Sequence, residues 1–228
     1  MKTVCPTQPS LAFLTLPLCG AMAVLVLISV TGCASDYNLQ FENSISRGDY
    51  AGAKTLMKQQ IKEYSLRDYN ATLLLRLAQS YYHLAYAHGK LGEYDSMKIA
   101  LYSSVSRDGN VAELEQKMID HFATEEYNKA AKIYNAGDYE SSLKGLHTAL
   151  SIVGTEKPNE ECGITILRGI ASAAAATGNI KDAQESCRKA AALGDAVTRE
   201  MLAHFENGET PKPLTRLEPR KSVGITGL

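Results

Sequence analysis

Proline is missing from the middle of this chain, and tryptophan from all of it. The seven prolines are Pro6, Pro9, Pro17, Pro158, Pro211, Pro213 and Pro219, so nothing between Pro17 and Pro158 breaks a helix. Net charge is nearly absent too: 24 basic residues stand against 25 acidic ones, a formal −1. A near-neutral chain exerts no general electrostatic pull on nucleic acid, and that class of partner is set aside. Catalytic signatures are missing as well. There is no phosphate-binding P-loop, no Gly-x-Gly-x-x-Gly, no Gly-x-Ser-x-Gly and no His-Glu-x-x-His. The five histidines, His83, His88, His121, His147 and His204, include no i, i+4 pair of the kind a helical metal site needs. Adjacent carboxylates such as Glu125-Glu126 and Glu160-Glu161 point about 100° apart on a helix, unsuited to paired acid–base work. No catalytic residue, metal site or cofactor is expected, and the chain is read as a binding protein rather than an enzyme.

What is present begins at the front. Residues 11–30 (LAFLTLPLCGAMAVLVLISV) carry no charge, and Lys2 is the only charged residue before Cys33. A run of that length is enough to cross a bilayer as a helix, although Pro17 and Gly20 weaken it. It ends in Val30-Thr31-Gly32-Cys33, an apolar residue, two small ones and then cysteine. This resembles the bacterial lipobox. The resemblance implies a signal peptide over 1–32, diacylglycerol transfer to the Cys33 thiol, and cleavage just before it. Ala34 and Ser35 follow, with no Asp at the second position, which in that family implies sorting to the outer membrane, facing the periplasm. Acyl chains at about 0.8 kcal/mol per buried CH₂ then hold the protein on the bilayer. An uncleaved N-terminal membrane helix and an ordinary secretory signal are the other readings of the same run. Lys2 alone is fewer positive charges than such signals usually carry. Of the remaining cysteines, Cys5 and Cys19 leave with the signal. Cys162 and Cys187 stay, as a disulfide or as two separate small thiols.

Between the signal and the tail the chain is rich in Ala, Leu, Lys, Glu, Gln and Tyr at helical spacing, with no alternating strand pattern. The expected fold class is all-α. Four punctuation marks recur: Gly48-Asp49-Tyr50, Gly92-Glu93-Tyr94, Gly137-Asp138-Tyr139 and Gly178-Asn179-Ile180. Their glycines stand 44, 45 and 41 residues apart, a period that suggests stacked helix–turn–helix units. Gly ends one helix, Asp or Asn starts the next, and the ring or Ile packs back between them. The long runs 68–91 and 111–136 predict extended first helices in two units. A plain helical bundle is the alternative, but it has no need of Gly at four corresponding turns.

On these residues the chain resembles the tetratricopeptide repeat. Small residues fall where paired helices of that family cross: Ala85, Ala130 and Ala171 in first helices, and Ala53, Ser104, Ser142, Ala149, Ala183 and Ala190 in second helices. Met97 and Gln60 are departures, and the period exceeds the family's thirty-four or so. The resemblance covers roughly residues 37–193 and implies a repeat domain over 33–206, with a short capping helix after Gly194-Asp195. It also implies a partner-binding groove along the exposed side of the first helices. Carried over residue by residue, that groove is Gln79, Tyr82, Tyr86 and Lys90, then Tyr127, Tyr134 and Asn135, then Arg168. Twelve tyrosines against four phenylalanines suit such a surface, because Tyr is amphipathic and loses little entropy on binding. The blander reading is that these rings fill gaps between repeats. Residues 207–228 (NGETPKPLTRLEPRKSVGITGL) hold three prolines and little apolar content, and read as a flexible C-terminal tail.

The whole reads as a membrane-anchored lipoprotein acting as a protein–protein interaction scaffold at the cell envelope. Binding of a small molecule or glycan within the array, and an envelope enzyme with no recognisable motif, are the alternatives.

Overall fold

The computed structural model describes residues 36–67, 70–109, 112–154, 160–222 and 224–225. The expected signal peptide over 1–32 and the lipid-bearing Cys33 lie outside the described residues. Within them the chain is all-α: α1 (Asp36–Ser46), α2 (Tyr50–Ser65), α3 (Ala71–Lys90), α4 (Tyr94–Val105), α5 (Ala112–Asn135), α6 (Tyr139–Val153), α7 (Glu160–Ala176), α8 (Ile180–Ala192) and α9 (Ala196–Glu206). From α2 onward, successive helices pack on one another, α4 on α5 only slightly, and α5 also lies along α7. No helix among the described residues is long and apolar enough to cross a membrane. The two extended helices are α3, with 20 residues, and α5, with 24.

One turn builds most of the corners. At Gly92, φ is +74°, a left-handed conformation that a side chain would strain. The next N–H, of Glu93, then reaches back five residues to the His88 carbonyl at 2.9 Å. The same back-bond runs from Asp49 to Ser44, Asp138 to Ile133 and Asn179 to Ala174. Asp49, Asp138 and Asn179 then turn their side chains forward as caps, accepting from the N–H of Gly52, Ser141 and Asp182. Glu93 does not cap; its carboxylate takes Lys54 Nζ at 2.8 Å and pairs with His88.

Two further corners use the device, at Gly194 and Gly208. After Gly194, Asp195 caps α9 by accepting from the Thr198 N–H at 3.0 Å. After Gly208 no helix follows. Pro211 and Pro213 remove two N–H donors and push the residues before them toward extended backbone, so the last corner feeds an extended segment instead.

Close helix crossings rest on the small residues. Ala53, Ala85, Ala130, Ala149, Ala171, Ala183 and Ala190 are fully buried, as are Ser104 and Ser142. The two serines also donate across the crossing, Ser104 to the Ala78 carbonyl at 2.7 Å and Ser142 to that of Ala130 at 2.9 Å. Gln60, also buried, takes a hydrogen bond from Ser80 and donates to Tyr64. Phe122 of α5 packs on Gly89 of α3, where a Cβ would lie 2.4 Å from the ring. Phe41 of α1 stacks on His83 at 4.4 Å. Cys162 on α7 and Cys187 on α8 are separate free thiols, both buried, so the disulfide is not formed. Burial pushes both thiols up in pKa, Cys187 to about 11.

Candidate functional site

The extended segment that leaves Gly208 does not hang in solvent. It lies between α5 and α7 and runs antiparallel to both. Leu214 meets Tyr134 and Ser172, Leu217 meets Asn135, Arg220 meets Asn128, and Ser222 shares a hydrogen bond with His121 Nδ1. The segment read from its sequence as a flexible tail lies along α5 and α7 over 214–222, as irregular backbone with a bend at Thr215. The reason is that its main chain, rather than its side chains, finds the partners.

Asn135 donates from Nδ2 to the Leu217 carbonyl and accepts at Oδ1 from the Leu217 N–H, both at 2.9 Å. Asn128 does the same to Arg220, at 2.9 and 2.8 Å. Each side-chain amide therefore treats one residue as a neighbouring β-strand would, satisfying its donor and its acceptor together. Tyr134 Oη donates to the Leu214 carbonyl and Ser172 Oγ accepts from the Leu214 N–H, both at 2.6 Å. Tyr127 Oη donates to the Glu218 carbonyl at 3.1 Å. All seven bonds go to main-chain atoms, so they hold an extended segment without reading its sequence.

Spacing makes the pairing fit. Asn128 and Asn135 are seven residues apart on α5, two turns and about 10 Å along the helix. Three extended residues from Leu217 to Arg220 span about the same length. Side chains supply what selectivity there is. Leu217 is 3 % exposed and packs beside Gly169 of α7, where an added Cβ would touch Leu217 Cδ1 at an ordinary 3.5 Å and press more tightly on Leu146. Arg220 donates to the Glu161 carbonyl at 2.8 Å and to Thr165 Oγ1 at 3.2 Å.

The eight expected groove residues divide. Tyr127, Tyr134 and Asn135 come together on the tail. Arg168 does not: it makes a two-pronged pair with Asp195, beside the groove. Burial opposes ionisation of Asp195, but Arg168 and Thr198 outweigh it and bring the carboxyl below its ordinary pKa. On α3, Gln79 is exposed, whereas Tyr82 is 3 % exposed and its hydroxyl has no hydrogen-bond partner among the described residues. Lys90 pairs with Glu125 at 2.7 Å and lies over the Tyr86 and Phe122 rings. Burial raises the pKa of Tyr82 and of Tyr127 to about 12. Asn128, Ser172, Leu217 and Arg220 were not anticipated. Asn128 had a usable signal, since it precedes Asn135 by two helical turns and so shares its face. No group of side chains suited to a metal ion occurs among the described residues.

Comparison with models of protein families and with curated protein sequences finds no match to this chain.

Proposed function

We propose that this chain is a tetratricopeptide-like helical-repeat scaffold, tethered to the bacterial envelope through Cys33, whose groove between α5 and α7 binds an extended segment of another protein. The observation that carries the groove is the pair of side-chain amides at Asn128 and Asn135, each closing two hydrogen bonds on one main-chain residue. Amides so placed suit the main chain of an extended segment and leave any sequence preference to the side-chain places beside them. The segment held here is the chain's own tail, and its main-chain pairing supports reading the groove as a seat for an extended segment. Glycine corners at near-equal spacing and the buried small residues at helix crossings support the repeat reading. The tether rests on the lipobox resemblance of Val30-Thr31-Gly32-Cys33, and an outer-membrane position on Ala34 and Ser35.

A photo-crosslinking residue at Thr165 tests the groove in intact cells. A second polypeptide should be captured, and the adduct should disappear in the Asn128→Ala, Asn135→Ala double variant. No adduct, or one indifferent to that double change, removes the reading. For the tether, Cys33→Ser should abolish globomycin-sensitive processing and membrane retention. A variant of unchanged size that stays on the membrane would favour an uncleaved helix.

A further inference from the structure

We propose that the groove reads a period of three, and that its external ligand is an extended segment of the pattern Leu-x-x-Leu-x-x-Arg with a free main-chain N–H at each named residue. This rests on the peptide-binding reading above and specifies the ligand. In the tail those three places are Leu214, Leu217 and Arg220. The N–H and C=O of all three are bonded to α5 or α7, while the residues between them contribute only the Glu218 carbonyl.

A period of three is that of the polyproline II helix, which brings residues i, i+3 and i+6 onto one side with about 9 Å per turn. Two turns of α5 between the asparagines cover nearly the same distance, so helix and strand stay in register. The side chains follow the same period. Leu217 is buried beside Gly169, Leu214 packs against the core, and Arg220 reaches the backbone and hydroxyl of α7. Thr215, Arg216, Glu218 and Pro219 between them are exposed. The prolines obey the pattern as well. Pro211, Pro213 and Pro219 all avoid the three places where an N–H is needed, and each favours the extended form.

The tail is therefore a resident copy of the ligand. Only a few residues join Gly208 to Leu214, which gives the tail an effective concentration on the order of millimolar at the groove. An external segment enters by displacing it.

The test uses the full chain carrying Leu217→Asp and Arg220→Glu, which weakens the tail while leaving α1 to α9 unaltered in sequence. A labelled peptide of residues 210–222 should bind this variant at least tenfold more tightly than the unmodified chain, by fluorescence anisotropy. Affinity should fall at least tenfold when one alanine is inserted between the second leucine and the arginine of the peptide, or when that leucine becomes proline. Equal binding of the inserted and original peptides overturns the period of three but leaves the groove reading standing. Binding of no peptide by the variant, with its helical circular dichroism intact, overturns both. A second measurement needs no variant. Amide exchange by NMR in the unmodified chain should show protection at Leu214, Leu217 and Arg220 and none at Thr215, Arg216 or Glu218. Uniform exchange across 214–220 overturns the proposal.

Discussion

The exposed-side faces of α3 and of α5 are built from the same residue types, Tyr with an amide or a lysine, yet they are completed differently. On α3, Lys90 binds Glu125 and covers two rings, the Tyr82 hydroxyl is buried without a hydrogen-bond partner among the described residues, and Gln79 faces solvent. On α5 the corresponding groups point their donors and acceptors at a main chain. The difference lies in the kind of partner: side-chain charges and rings against α3, main-chain carbonyls and N–H groups against α5. The contrast shows main-chain pairing with the tail on α5 and none on α3 among the described residues.

Four measurements break or sharpen that contrast, from the largest effect down. Phe122→Ala should cost about 3–5 kcal/mol in urea unfolding, because a fully buried ring joins both faces there. A loss under about 1 kcal/mol would mean that the halves are stable separately. Leu217→Ala should release the tail, at most about 2–5 kcal/mol of local docking, seen as faster amide exchange at Leu214 and Arg220 with the helices' melting temperature nearly unchanged. If the whole molecule melts earlier instead, the tail belongs to the core rather than to the groove. Asn135→Ala, which removes two hydrogen bonds, should weaken docking by about 1–3 kcal/mol, whereas Gln79→Ala on α3 should stay within about 0.5 kcal/mol. Equal effects would erase the difference between the faces.

The smallest effect is one of pH. Burial lowers the pKa of His88, although its pairing with Glu93 pulls the other way and Lys54 and Lys58 reinforce the lowering. Between that depressed value and 6.5 the unfolded chain binds more protons than the folded one. Stability from this group is therefore complete above the unfolded pKa and declines as pH falls through the window below it. The melting temperature of the unmodified chain should fall more between pH 7 and pH 5 than that of His88→Gln, with no matching change in tail protection. An identical pH dependence in the two chains would assign the decline to other groups.

Much of the helical framework is legible in consecutive residues. The proline-free stretch, the four Gly-polar-apolar corners and the long runs at 68–91 and 111–136 correspond to α3, α5 and the turns found. The tail was not legible. Its two leucines stand three apart among polar residues and prolines, a period that matches neither the strand's two nor the helix's 3.6. Its composition says only that it buries little apolar surface, and the docking depends on main-chain groups that every sequence possesses. Arg168 looked like a free ligand because its partner, Asp195, lies 27 residues away on the cap of another helix.

By itself, then, the sequence determined the all-α class and the corners. A left-handed glycine, a forward cap and the absence of proline act over a handful of neighbouring residues. Only the tertiary structure decided what fills the groove. The pairs that fix it, such as Asn128 with Arg220 and Asn135 with Leu217, are 92 and 82 residues apart, and no local propensity links them. They form because the packing of α5 against α7 leaves side-chain amides facing an extended main chain whose donors and acceptors must be satisfied somewhere.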